Sequence, residues 1–124
     1  MIVLDLPRDL WFTSNDLPNM HYMARSNKAA AIRALAAIAT KFAGETPVTQ
    51  CRITVTASLP TARRFDPANI AGTVSKHAID GMTDAGLWAD DNSEHVVFVG
   101  FQRGPKTGTR GMYRLTFEIE EVSA

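Results

Sequence analysis

The sequence predicts an α/β (α+β) fold: a mixed β-sheet with two helices packed on it, in the order β-α-β-α-β-β. Three observations carry this expectation. Arg52 to Leu59 alternates, with Ile53, Val55, Ala57 and Leu59 on one face and Thr54, Thr56 and Ser58 on the other. That is the period of a half-buried strand. Two stretches have helical spacing: roughly Ser26 to Ala43, ended by Gly44, and one that follows the Arg63–Asp66 loop and runs to about Ala85, ended by Gly86. Met112 to Val122 alternates again, with Leu115, Phe117 and Ile119 facing inward.

The other elements follow in order. Ile2 to Leu6 reads as a short strand, and Pro7 to Pro18 as irregular chain with Trp11 and Phe12 docked on the core. In the alanine-rich first helix, Ile32, Leu35, Ala39 and Phe42 fall at helical spacing. Pro60 ends the second strand. His95 to Phe101 is β-branched and aromatic, so it reads as a buried strand; Gly104 to Gly111 reads as a long basic hairpin loop. No repeat, low-complexity tract or linker divides the chain, so residues 1–124 are expected to form one domain.

Composition narrows the class. Hydrophobic residues make up 45% and charged residues 21%, which excludes disordered, collagenous and fibrous chains. A core of this size is small, so burying a dimer interface would help. No apolar run reaches the length of a membrane span, and Asp5, Arg8 and Asp9 interrupt the N-terminus too early for a signal peptide. The one cysteine, Cys51, permits no intrachain disulfide and reads as a structural thiol, which suits the reducing cytoplasm.

The net charge is zero, which taken alone argues against a nucleic-acid binder. The charges are nonetheless grouped. Arg63 and Arg64 lie together, as do Arg103, Lys106 and Arg110, and Arg25, Lys28 and Arg33. Acidic residues collect in Asp80 to Glu94 and in Glu118 to Glu121. That grouping suits a site where basic flanks hold phosphate and carboxylates hold a metal; a solvated mixed-charge surface is the alternative.

On a helix of about 100° per residue, Ile70, Val74, Ala78, Gly81, Met82 and Ala85 share an arc of about 120°. Lys76, Asp80, Thr83 and Asp84 fall opposite. Lys76 and Asp80 are placed either for a weak surface ion pair or to face a site. Asp66 before Pro67 suits a helix cap, and Asp90-Asp91 suits a turn or cap. Taken together they allow more. Adjacent carboxylates repel, a divalent cation removes that cost, and hard oxygen ligands suit Mg²⁺ in phosphodiester cleavage. His21, His77 and His95 match no zinc spacing, and no nucleophile motif is present.

At this point the residues resemble a known family. Arg63-Arg64-Phe65-Asp66-Pro67-Ala68-Asn69, then Lys76-His77-Ala78-Ile79-Asp80-Gly81, then Asp84-Ala85-Gly86-Leu87-Trp88-Ala89-Asp90-Asp91 are similar to the signature of RusA-type Holliday-junction resolvases. In that family a basic loop leads into an acidic motif ending in asparagine. A helix with lysine and aspartate follows, then an Ala-Gly-aromatic turn into a double aspartate. Val96 to Phe101, the segment around Ser14-Asn15 and the Gly104 to Gly111 loop resemble further family features. The likeness spans nearly the whole chain, and Arg63 to Val97 is its specific part.

The resemblance implies a homodimeric endodeoxyribonuclease that binds four-way junction DNA and nicks two opposed strands symmetrically in recombination and repair, using Mg²⁺ or Mn²⁺. It implies Asp66, Lys76 and Asp91 as catalytic residues. Asp66 and Asp91 would be metal ligands, with Asp90 and Asp80 as supporting carboxylates. Arg63, Arg64, Asn15, Asn69 and Lys76 would contact DNA.

Two features depart from the pattern. The family's second aspartate, directly before its asparagine, is here Ala68. Ile70-Ala71-Gly72-Thr73 also lengthens the asparagine-to-lysine spacing; as helix it would shift Lys76 by about 40°, and as loop Gly72 would permit it. The Asp-Pro-Ala-Asn variant resembles one found among relatives in actinobacteria and their phages, which implies a prophage gene. Two other readings stay open: a RusA-like dimer that binds branched DNA without cutting it, and a non-enzymatic interaction domain.

Overall fold

The computed structural model describes residues 1–122. Its elements are β1 (Ile2–Pro7), α1 (Tyr22–Ala43), β2 (Cys51–Ser58), α2 (Val74–Asp84), β3 (Val96–Arg103) and β4 (Met112–Glu121), the order expected. Two short 3₁₀ turns, Leu17–Asn19 and Pro67–Ile70, precede the helices. The strands form one mixed sheet in the order β1-β4-β2-β3. β4 runs antiparallel to β1 and β2, whereas β2 and β3 are parallel and joined through α2.

Register explains the core. Directly opposed residues share a sheet face. Ile2 faces Phe117, Leu4 faces Leu115 and Leu6 faces Tyr113; across the other edge of β4, Val55 faces Phe117 and Ala57 faces Leu115. All of these side chains are buried, together with Ile32 and Ala36 of α1 and Val74, Ala78 and Met82 of α2. Trp11 and Phe12 dock on the same core, as expected. The opposite sheet face is polar. There Arg114 binds Asp5 through two hydrogen bonds of 2.6 and 3.1 Å, and Gln102 donates to Thr56 at 2.9 Å. The result is two layers, one sheet and one pair of helices.

The same register sorts the charges. One end of the sheet is defined by Pro7, Ser58, Arg103 and Met112. The chain leaves it through Arg8, through the Arg63-Arg64 loop and through the Lys106–Arg110 segment. The other end holds Cys51, Val96 and Glu121, and Glu94 and Glu120 stand beside them in the chain. A net charge of zero therefore conceals a basic end and an acidic end.

Five expectations need correction. First, α1 begins at Tyr22 rather than Ser26. His21 caps it, its Nδ1 accepting from the Met23 amide at 3.2 Å, so Ser26 lies inside the helix. Second, α1 turns Ile32, Ala36 and Thr40 inward, while Leu35 is exposed and Phe42 is 88% exposed. The reason is the close crossing of α1 and α2: a Cβ at Gly81 would stand 2.2 Å from the Arg33 carbonyl oxygen and 2.9 Å from the Ala36 Cβ. Small residues had to face each other there, so the larger apolar ones rotated out.

Third, the second helical stretch is broken. Ile70 is buried in the 3₁₀ turn, residues 71–73 form a turn, and α2 starts only at Val74. Of the four extra residues, Ile70 ends the 3₁₀ turn and the next three form a turn, so none extends α2. Fourth, β3 is an edge strand and not a buried one. A register shift between Cys51 and Arg52 leaves Val97 and Phe98 exposed, and the Arg52 guanidinium lies over the Phe98 ring at 4.3 Å. Fifth, the Gly104–Gly111 segment is not a hairpin, because β3 and β4 are not neighbours. It crosses the end of β2, where Gly104 and Thr107 donate their amides to the Ala57 and Leu59 carbonyls at 2.9 and 2.8 Å.

No helix among the described residues is long and apolar enough to cross a membrane.

Candidate nucleic-acid interface

The basic end of the sheet is built from three chain segments that lack regular structure of their own. Each is held by specific bonds. Arg103, at the end of β3, donates to the carbonyl oxygens of Arg63 and Thr61 and so fixes the loop beyond β2. Phe65 in that loop packs on Trp11 with ring centres 6.1 Å apart, and Trp11 stacks on Tyr113 at 4.7 Å and 16°. Asp66 then caps the 3₁₀ turn, its Oδ1 accepting from the Ala68 amide at 3.0 Å, with Pro67 in the first turn.

The N-terminal segment closes over this turn. The Ser14 amide donates to the Asn69 carbonyl at 2.9 Å, and the Ser14 hydroxyl reaches Asn69 Oδ1 at 3.4 Å. Thr13 donates its amide to Asp16 Oδ2 at 2.8 Å, which shapes the turn around Asn15. Buried Thr73 donates its hydroxyl to the Phe12 carbonyl at 2.9 Å. Between these walls lies a cavity of about 420 Å³, lined by Asn15, Asp16, Arg63, Arg64, Asp66 and Asn69 above Trp11. Five residues singled out in the sequence, Asn15, Arg63, Arg64, Asp66 and Asn69, therefore meet in one place. Neither arginine forms an ion pair among the described residues, and Asp66 Oδ2 accepts no protein hydrogen bond among them.

Lys76 and Asp91 stand elsewhere, along a groove of about 280 Å³ between α2 and β3 that also includes Ala71, Ser75 and Val99. Ala71 is the residue that closes the turn capped by Asp66, so the groove begins next to the cavity in sequence, yet no residue lines both. Lys76 pairs with Asp80 at 3.4 Å, an exposed i,i+4 contact of small energetic weight. Asp90 folds its own loop: its Oδ1 accepts from the Asp91 amide at 2.7 Å and its Oδ2 from Asn92 at 3.4 Å. Among the described residues, no three His, Cys, Asp or Glu side chains group closely enough to hold a metal ion.

A further cation serves this acidic region. Arg33 on α1 binds Asp84 through its Nε and Nη2 at 2.5 and 2.7 Å. That bond, with the charge of Asp84 and lesser ones from Asp80 and Asp91, holds the guanidinium above its ordinary range, and the same bond with the charge of Arg33 holds Asp84 below the usual carboxylate range. Burial pushes the Cys51 thiol up, which leaves it an inert core side chain. Among the described residues, two buried polar atoms, Trp11 Nε1 and Ser75 Oγ, have no partner.

Sequence reasoning missed Asp16, Thr73 and Arg103 as residues that shape the cavity. Thr13-Ser14-Asn15-Asp16 carries a turn signal that would have found the first. No linear signal marks the other two, since Thr73 reaches back 61 residues and Arg103 reaches back 40. Compared with known proteins, the chain matches no family model and no curated protein.

Proposed function

We propose that this protein is a metal-dependent endodeoxyribonuclease of the RusA type that acts on four-way DNA junctions as a homodimer in the cytoplasm. One observation carries the reading: Arg63, Arg64, Asp66 and Asn69, which form the family-like motif, share a cavity with the distant Asn15. The pairing of free guanidinium groups with a carboxylate suits a phosphodiester held beside an ion.

In this reading Arg63 and Arg64 bind the DNA backbone through their planar donor forks. The amides of Asn15 and Asn69 orient the sugar and phosphate. Lys76 leaves its weak pair with Asp80 and offsets charge that develops on the leaving oxygen. Mg²⁺ commonly takes only one or two carboxylates and fills its shell with water and substrate phosphate. The free oxygen of Asp66 would hold such an ion in the cavity; Asp91, which the resemblance implies as the second ligand with Asp90 and Asp80 in support, lines the separate groove and does not share that cavity. When bound, Mg²⁺ or Mn²⁺ supplies an acidified water and neutralises the leaving group. Two copies of the site, one per protomer, account for paired nicks.

A second reading has its own observations in favour. Ala68 is exposed on the same turn as Asp66, where the family's pattern has another carboxylate, and no three-donor group is present among the described residues. Those two observations favour a dimer that binds branched DNA without cutting it. A labelled four-way junction incubated with the protein in Mg²⁺ or Mn²⁺ separates the two. Paired symmetric nicks support the endonuclease, and binding without cleavage in either metal supports the second reading. No binding at low salt, where electrostatic attraction is greatest, overturns both.

A further inference from the structure

Beside the Asp66 cavity the basic end carries a second and larger cleft, of about 490 Å³. Its walls include Arg8 just beyond β1, Thr61 and Arg63 beyond β2, and Gly108 and Arg110 in the crossing segment, with Tyr113 behind them. These residues come from three distant parts of the chain. The three guanidinium groups have no ion-pair partner among the described residues, and no carboxylate lines the cleft. Three like charges around one opening repel each other, and an anion between them removes that cost.

The walls are set before any ligand arrives. Arg103 pins Thr61 and Arg63 by their carbonyl oxygens. Thr107 donates its amide to Leu59 at 2.8 Å and its hydroxyl to Met112 at 2.9 Å, which fastens the crossing segment at both sides. Gly108 and Gly111 adopt φ of 71° and 72°, so the segment turns back sharply between them. A held loop lowers the ordering cost of binding.

We propose that this cleft is a second backbone-phosphate subsite, in which Arg8 and Arg110 hold the phosphodiester chain that leaves the Asp66 cavity past Arg63. The inference rests on the DNA-binding reading of that cavity and extends it to the flanking arm of the substrate. Arg63 lines both openings, so one strand can pass from one to the other along that arginine. Arginine forks of this kind suit backbone phosphate, and contacts to phosphate position a strand without reading its sequence.

The test compares wild-type protein with an Arg8→Ala/Arg110→Ala variant, using fluorescence anisotropy of a labelled four-way junction and a labelled duplex across a salt series. Both arginines are exposed and, among the described residues, unpaired, so the melting temperature should match wild type. Each lost phosphate contact lowers the slope of log K against log salt by about 0.9, so the double variant should lose about 1.8 and bind roughly tenfold more weakly at low salt. Lys41→Ala, on the last turn of α1, should leave the slope unchanged. Wild-type binding with an unaltered slope in the double variant overturns the subsite and leaves the junction reading intact. A slope that falls equally on duplex and junction, with no junction preference in wild type, supports the subsite and overturns the junction reading. No binding of either DNA by wild type overturns both.

Discussion

The Ser14 amide donates to the Asn69 carbonyl at 2.9 Å, across 55 residues of sequence. This bond closes the candidate cavity by joining the irregular N-terminal segment to the turn that Asp66 caps. A second bond, from the Thr73 hydroxyl to the Phe12 carbonyl at 2.9 Å, fastens the same seam from within the core. Thr73→Val keeps the shape but leaves that buried carbonyl unsatisfied, which costs about 1–3 kcal/mol. Urea denaturation should show the loss as a lower midpoint with an unchanged slope. An unaltered midpoint would mean that the seam is held elsewhere.

Arg103 acts through backbone rather than through substrate. Its guanidinium holds Thr61 and Arg63, and Arg103→Lys cannot supply the planar fork that reaches both carbonyls. Junction binding should weaken by about fivefold, as expected for one hydrogen bond of about 1 kcal/mol, while the melting temperature changes little. Equal binding by the variant would show that the loop holds its position without Arg103.

The two helices meet backbone to backbone at Gly81. Gly81→Ala places a methyl group 2.2 Å from the Arg33 carbonyl oxygen, which forces the helices apart. Overpacking of this kind costs about 1–3 kcal/mol or more, despite the better helix propensity of alanine. Thermal unfolding checks it, and a variant as stable as wild type would mean that α1 and α2 shift freely.

His77 predicts a pH dependence. It stacks against Phe12 with ring centres 5.9 Å apart, and burial lowers its pKa, opposed by Asp80 and assisted by Lys76 and Arg33. The folded pKa lies below the unfolded value of about 6.5, so the unfolded chain takes up the proton first. This stability is complete above the unfolded value and is lost as pH falls through the folded one. Between pH 7 and pH 5 the wild-type denaturation midpoint should fall more steeply than that of His77→Gln. Parallel profiles would remove His77 from the effect.

Strands with strict alternation were the most legible part of the sequence. Val55 and Leu115 face inward as their period requires, since a strand has only two faces to choose between. Helix faces were less legible: Leu35 and Ala36 are one residue apart, and only the tight crossing at Gly81 decides between them. The path of residues 104–111 was hidden for a different reason. Turn-like composition shows that the chain reverses, but not which strand it passes over. In the site, Arg63 to Asp66 and Asn69 form one wall, and Asn15 joins them through Ser14. The Lys76–Asp91 groove was legible as residues and not as a place, because the break at residues 71–73 resets the helix after Asp66.

Asp66→Asn tests the proposed site most directly. Asparagine caps a helical turn as well as aspartate does, so the Ala68 amide keeps its partner and the fold keeps its stability to within about 0.5 kcal/mol. The charge that would face the ion is gone. Cleavage of a labelled four-way junction in Mg²⁺ or Mn²⁺ should fall by more than about a hundredfold while junction affinity is retained. Cleavage at the wild-type rate by a folded Asp66→Asn protein would contradict the assignment of Asp66 as the essential carboxylate.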